Sequence, residues 1–512
     1  IGISYFDVIT AAFIPATISY IGLLYISHLE ALKLGLSGLP REETPVLGKT
    51  FWSGVHFIVP IVILVYLLML ERWTASSAIF YTIIVMILIM FASHVSPSRL
   101  GRTIKIVLYI IPIIITAVFR LEGNEAQSSL FWGLGAAVLI LLGLAITKNK
   151  QDGKIGSALR RCFLEIYGGL IVGARNMVGI SVAVATAGII VGAVSSTGLN
   201  NAMGGVVESL SGGNVFLLLI LTAFLSLLLG MGLPTTANYL VVASLLAGVL
   251  VELGAAGGLE LPLIAVHLFV FYFGLMADVT PPVGLASYAA AGISGGDPLK
   301  TGVQAFWYSL RTGILPIVFL FNHELLLIGI ENIWHGLIVI VTSLIGILVF
   351  TSATQGWFIN KLKWYEIIIF LAISISLLSP DFVLNKFYPK YNYEDITKIN
   401  SLKLDSTKEI QIKITRPSLY GERYKLFVIS KNTFEDKFTL EDYGITLLKQ
   451  DDKVVVDNLK WNGEAKKNGF EIGDYLSEFK IENSDRPSKN IVYPIAILLL
   501  VVFGYFNLKR KE

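Results

Sequence analysis

What most constrains this chain is a succession of nearly uncharged apolar runs, each close to the length that crosses a hydrocarbon layer as a helix. A bilayer core about 30 Å thick takes about 20 apolar residues per helix. Runs of this kind cover 7–27, 52–70, 75–92, 104–119, 130–147, 177–194, 214–229, 305–321, 333–351, 365–379 and 491–506. The stretch 161–175 reads as a shorter helix of its own at the interface. Charge is segregated away from these runs: 381–490 holds 19 basic and 19 acidic residues, 38 of the 77 charges in the 512-residue chain. The fold class that follows is an all-α polytopic membrane protein with broken or re-entrant helices, carrying a small β-rich extramembrane domain and one last span.

Composition removes other classes. With 54% hydrophobic and 15% charged residues the chain is too apolar for an ordinary soluble enzyme or for disorder. A net charge of +3 gives no basic footprint for nucleic acid. The single cysteine, Cys162, forbids an intrachain disulfide. The opening run has neither a basic n-region before it nor a cleavage site, so it does not read as a signal peptide. Starting at Ile1 rather than methionine, the chain reads as the continuation of a longer one.

Loop charges set an orientation. Arg99, Arg102 and Lys105 form one basic loop, and Lys148, Lys150, Lys154, Arg160 and Arg161 form another with only Asp152 among them. Between them lies the more acidic loop 120–127. Lys361 and Lys363 precede a crossing at 365–379, and 491–506 returns to end at Lys509, Arg510 and Lys511. The phase puts 381–490 outside, in the periplasm of a two-membrane bacterium, and the C-terminus in the cytoplasm.

Two breaks interrupt otherwise spanning sequence, GMGLPTTANY (230–239) and DVTPPVG (278–284). Lipid cannot pair with free N–H and C=O groups, so unwound backbone at membrane depth survives only against protein or a water-lined cavity. Transporters use such breaks to coordinate cations through carbonyls and to face anions with half-helix N-termini. Gly230, Gly232 and Pro234 loosen the first break, and Thr235, Thr236 and Asn238 add side-chain oxygens. In the second, Asp278 and Thr280 precede Pro281 and Pro282, and Gly284 permits close approach. The carbonyls of Gly230, Gly232 and Thr280 are the candidate Na⁺ ligands. Ordinary proline kinks or loops fit the same residues, and Asp278 fits equally as a cap at the interface. His267, mid-span, is expected to hydrogen-bond a neighbouring helix; Arg175 and Asn176 mark an interface.

The segments GMGLPTTANYLVVASLLA (230–247), LIAVHLFVFYFGLMADVTPPVGLASYAAAGISGGDPLKTG (263–302), AGIIVGAVSSTGL (187–199) and HLEALKLGLSGLP (28–40) resemble the fused permease subunit of tripartite ATP-independent periplasmic (TRAP) transporters of the TAXI type, with its large DctM-like membrane subunit. The resemblance covers about 1–330. It implies an inner-membrane permease coupled to Na⁺ or H⁺, with no other cofactor, that imports small organic acids from a periplasmic solute-binding protein of TAXI type. It implies an elevator-like domain of inverted repeats, with the break residues above at the ion and substrate site and Gly188, Gly192, Thr197 and Gly198 in a supporting motif. On this reading 1–160 is a scaffold or arm, 161–330 the second transport repeat, 331–380 C-terminal membrane helices, 381–490 the soluble domain and 491–512 the last span and tail. On this reading the family's first repeat, and the small membrane subunit fused before it, are not expected within the stretch that carries the resemblance.

Four runs in the tail, 409–414, 424–430, 444–450 and 453–459, alternate as strands. The stretch 461–483, with Ala465, Gly469, Gly473 and Asp474, resembles part of PDZ-like domains. Two rivals to transport remain. Gly292-Ile293-Ser294-Gly295 matches a GxSG nucleophile pattern with His323 and His335 downstream, as in an intramembrane serine protease, whereas His323-Glu324 fails as HExxH because residue 327 is leucine. A membrane-anchored scaffold acting through 381–490 is the other.

Overall fold

In lipid a helix satisfies its own backbone, so the apolar runs become helices. The computed structural model describes residues 2–40, 42–95, 135, 138, 155–198, 206, 209–211, 214–230, 235–281, 284–396, 404–418, 421–431, 433–434, 437–450 and 453–510. The runs expected at 104–119 and 130–147 lie outside the described residues apart from two positions, as do the orienting charged loops around them apart from Arg160 and Arg161.

The helices are α1 (Tyr5–Lys33), α2 (Leu47–Val65) with a π-helical turn at Tyr66–Leu70, α3 (Ala75–Val95), α4 (Ile155–Thr197), α5 (Val215–Gly230), α6 (Thr235–Ala256), α7 (Leu263–Met276), α8 (Leu285–Ser294), α9 (Pro298–Phe321), α10 (Ile333–Gln355), α11 (Trp364–Leu378) and α12 (Val492–Lys509). Among the described residues α1, α6, α9, α10 and Lys489–Lys509 are long and apolar enough to cross a membrane; α5, α7 and α11 are apolar but shorter. One expectation is corrected. Residues 161–175 do not form a separate helix but continue into the next run as the 43-residue α4. Arg175 and Asn176 change the polarity there, yet without a proline nothing interrupts the backbone hydrogen bonds.

Two compact units result, one of 10–36 with 183–512 and one of 2–9 with 37–182. In the second, the π-helical turn after α2 packs on α3 through Leu67, Leu68 and Ala78, and Trp73 meets Tyr81 edge-on at 5.2 Å. The first is built around α7, which is apolar apart from His267 and the Tyr272 hydroxyl and buries nine of its 14 residues. Val266, Phe269 and Val270 share a core with Leu218 of α5, Leu246 and Leu250 of α6, and Leu315 and Phe319 of α9. Leu24, Phe224 and Leu498 are instead exposed on α1, α5 and α12, as lipid-facing residues are.

After α11 comes an antiparallel sheet of β1 (Tyr391–Tyr393), β2 (Ile410–Ser418), β3 (Gly421–Ile429), β4 (Ile445–Gln450), β5 (Lys453–Leu459) and β6 (Tyr475–Glu482). Its order is β3-β2-β6-β5-β4, with β1 also paired to β6. The four alternating runs of the sequence are β2 to β5. Ile410, Ile412 and Ile414 alternate inward onto Val456, Leu476 and Phe479. At the far end of the α11–α12 pair Asn507 Oδ1 accepts from the backbone N–H groups of Ile359 (3.3 Å) and Asn360 (2.9 Å), and Arg510 pairs with Glu366. The sheet and the chain's basic end therefore lie at opposite ends of α11 and α12.

Burial works to raise the carboxyls of Glu478 and Glu482, but hydrogen bonds outweigh it and hold both below the usual range, from Lys480 and Lys413 in one case and from Lys431 and the Glu409 backbone in the other. A carboxyl whose pKa falls on folding contributes stability above its unfolded value and loses it as pH falls through its folded value. The unfolding temperature of the sheet domain is therefore expected to be insensitive to these groups at neutral pH and to decline below about pH 4, as followed by segment-resolved hydrogen exchange during an acid titration.

Candidate functional site

The two breaks of the sequence meet in space. α5 and α6 flank the first, α7 and α8 the second, and Thr235 Oγ1 donates to Asp278 Oδ2 across them at 3.1 Å. Their approach needs glycine. A methyl on Gly230 would lie 2.5 Å from Ala277 Cβ and 2.6 Å from Asn238 Nδ2, and one on Gly274 would lie 2.7 Å from the same amide. Gly230→Ala is accordingly expected to cost about 1–3 kcal/mol by overpacking. Gly248→Ala, on α6 with open space around it, is expected to be neutral or stabilising. Thermal unfolding of the two variants in detergent compares them.

Depth follows from helix lengths. At 1.5 Å per residue α5 and α7 run about 24 and 21 Å from the end that faces the sheet, whereas α9 and α10 run about 36 and 34 Å. Gly313, two-thirds of the way along α9, takes the Met276 side chain: a methyl there would lie 3.1 Å from its Sδ. Gly302, near the start of α9, takes Pro281, whose Cγ would be 3.2 Å from such a methyl. The second break thus begins beside the interior of α9 and descends toward its N-terminus. That N-terminus is fixed by Asp297, which accepts from the Lys300 N–H at 2.8 Å, with Pro298 as first helical residue.

Oxygens gather at the junction. Asn238 is 1% exposed; its Nδ2 donates to Ser226 O at 3.3 Å while its Oδ1 has no partner. An orphaned buried acceptor is costly unless something else supplies a positive charge or a proton. Residues 234 and 282 are prolines, so neither can donate an N–H to the carbonyl four residues earlier, those of Gly230 and Asp278. Thr280 Oγ1 donates to Met276 O at 2.7 Å, and Thr280 O already accepts from Gly284 N at 3.0 Å. Ser287 Oγ donates to Val279 O at 3.2 Å, tying α8 to the break.

Of the residues singled out in the sequence, Gly230, Thr235, Asn238, Asp278, Thr280 and Pro281 belong to this junction. Thr236 is exposed on the other side of α6. Gly232, Pro234 and Pro282 lie outside the described residues. Gly188 and Gly192 have open space around them; it is Ile190 of α4 that packs on Ala237 and Val241. Thr197 and Gly198 end α4, with Thr197 Oγ1 donating to Ala193 O at 2.7 Å. His267 bonds Tyr239 OH through Nδ1 at 2.9 Å, the inter-helix contact expected of it. Gly274, Ser226 and Ser287 were not singled out. Gly274 carried a signal, as a lone glycine in an aromatic run; the two serines carried none.

The protease pattern does not assemble. Ser294 ends α8 just before α9, whereas His323 follows the other end of that 24-residue helix, about 36 Å of rise away. His323 Nε2 contacts Leu320 O at 3.0 Å, and His335 Nε2 lies 3.2 Å from Glu324 Oε1.

With that geometry established, comparison with known families gives two matches. Residues 1–99 and 92–334 match the family described as the tripartite ATP-independent periplasmic transporter, DctM component. Residues 336–512 match a domain of unknown function, DUF3394. No curated protein and no solved structure matches.

Proposed function

Because the chain belongs to the DctM family of TRAP transporter membrane components, and is a multi-pass transporter component rather than an enzyme, we propose that the junction of its two breaks is the ion and solute site of a secondary importer. The coupling ion is Na⁺, held by the carbonyls of Gly230 and Gly232, by the second lone pair of the Thr280 carbonyl, by Asn238 Oδ1, and by the charge of Asp278 positioned by Thr235. Neutral oxygens around one carboxylate suit a hard monovalent cation and leave room for a carboxylate-bearing solute beside the N-terminus of α6. The solute is a small organic acid delivered by a periplasmic binding protein of TAXI type. The observation that carries this reading is the Thr235–Asp278 hydrogen bond between two interrupted helices beside the interior of α9.

On this reading the membrane is the bacterial inner membrane, the sheet lies in the periplasm and Arg510 in the cytoplasm, which the opposite placement of sheet and terminus supports. The sheet domain is PDZ-like. Ala465 is buried, Gly469 and Gly473 take φ of 92° and 90°, and Asp474 is buried against Arg416.

The test is uptake of labelled organic acids into proteoliposomes holding the full-length permease and its cognate binding protein. Uptake is expected to require the binding protein and to follow an inward Na⁺ gradient. Uptake driven by a pH gradient alone would reassign the ion to H⁺, and uptake indifferent to both gradients would remove coupled transport.

A further inference from the structure

The C-terminal end of α6 lacks a basic residue in its own last turn. A helix C-terminus collects negative partial charge and unpaired carbonyls, so it favours cations. Here they come from the sheet. Lys413 Nζ, on β2, donates to Ala256 O, the last residue of α6, at 2.5 Å. Lys480 Nζ, on β6, lies against Gly258, 2.9 Å from where a Cβ would stand, and Gly258 holds φ +74° in the turn that leaves the helix. Both lysines are fixed by one carboxylate, Glu478, at 2.9 and 2.7 Å. Lys480 is 8% exposed and β3 packs along α6.

The other end of the same hairpin is the candidate site. α6 begins at Thr235 and α7 ends at Met276, so one rigid helix pair carries both sides of the junction while its tip, 256–262, is held by the sheet. The sheet is itself tied to α9, α10 and α12 through the segments around them: Lys489 Nζ lies 2.5 Å from Glu324 Oε2, and Arg486 bonds Asp381 at 2.6 Å.

We propose that Lys413 and Lys480 are positioning residues, through which the C-terminal sheet clamps the tip of the α6–α7 hairpin and sets how closely its other end, with Asn238, Met276 and Asp278, is held against Gly230 of α5 and Gly313 of α9. The clamp gives the DUF3394 region a role in the transport cycle, one that rests on the junction being the ion site. Releasing the tip frees the hairpin to tilt, and a tilt at 256–262 displaces 235 and 276 through the stiff helices between.

The experiment is hydrogen exchange on the purified full chain in detergent, in NaCl and in KCl. Lys413→Ala with Lys480→Ala is expected to speed exchange about tenfold, the change given by loss of one charge-assisted hydrogen bond, at the tip and also at 226–239 and 272–287. The region 333–378 should not change. Lys413→Arg, which keeps a donor for Ala256 O, is expected to restore protection at the breaks. Faster exchange confined to the tip overturns the clamp. If the double variant does not fold, Ala256→Cys with Lys413→Cys, in a Cys162→Ala background, is joined by a short bismaleimide. Slower exchange at the two breaks supports the clamp, and unchanged exchange there overturns it. In the unaltered chain Na⁺ over K⁺ should protect the breaks. No difference between the salts would remove the ion site and leave the mechanical coupling standing.

Discussion

Asp278→Asn is expected to weaken Na⁺ binding by about two orders of magnitude, measured by calorimetric titration of the purified full chain with NaCl. The carboxylate accepts from Thr235 Oγ1 at the meeting of the two breaks. A unit charge about 5 Å from a cation at an effective dielectric near 20 is worth about 3 kcal/mol, and every 1.4 kcal/mol is tenfold. Asparagine keeps the shape and can still accept from Thr235, so a loss reports charge rather than packing. Thr235→Val should do less, because it removes one hydrogen bond to a charged group, about 1.5–3 kcal/mol at most. Ser294→Ala, at the remote end of α8, should not alter binding. An Asp278→Asn protein that still binds Na⁺ as tightly as the parent would take the ion away from this junction.

Arg416→Ala is expected to melt the sheet domain while the membrane helices persist. Asp474 has no exposed side-chain surface, and Arg416 reaches it through Nε at 2.6 Å and Nη2 at 2.8 Å, pairs with Glu471, and donates to Gly469 O at 2.9 Å. The hydrogen bonds to Asp474 raise the Arg416 pKa, against the opposing effect of burial. Removing the cation strands a buried carboxylate, at a cost of about 3–5 kcal/mol. That is a large part of the 5–15 kcal/mol that holds an ordinary domain together. Scanning calorimetry of the full chain, with hydrogen exchange assigning the transition to 404–482, measures it. Arg416→Met combined with Asp474→Leu should recover most of the loss, since no charge is then left unpaired. A single variant as stable as the parent would show that water reaches Asp474.

The division between sequence and tertiary structure falls at identifiable residues. Apolar runs specified α1, α5, α9, α10, α11 and α12 directly, because in lipid a backbone has no partner but itself. Period-two alternation placed β2 to β5 for an equally local reason. That helices stop at Gly230 and Met276 was legible too, since proline and glycine act on their own backbone, although 235–239, read as part of the first break, already belongs to α6. Ends and joins were less so: Arg175 suggested a boundary within what is a single helix, because side-chain polarity does not decide whether the next hydrogen bond forms.

That Thr235 would bond Asp278, that Asn238 would need Gly230 and Gly274 to fit, and that lysines of the sheet would cap a helix more than 150 residues earlier in the chain could not be read in advance. Each depends on where distant segments pack, and no local pattern encodes a distance between them. The sequence by itself determined which of the described segments form apolar helices and where α5 and α7 stop; only the tertiary structure decided that those interruptions face each other, because packing around α7 is what brings them together.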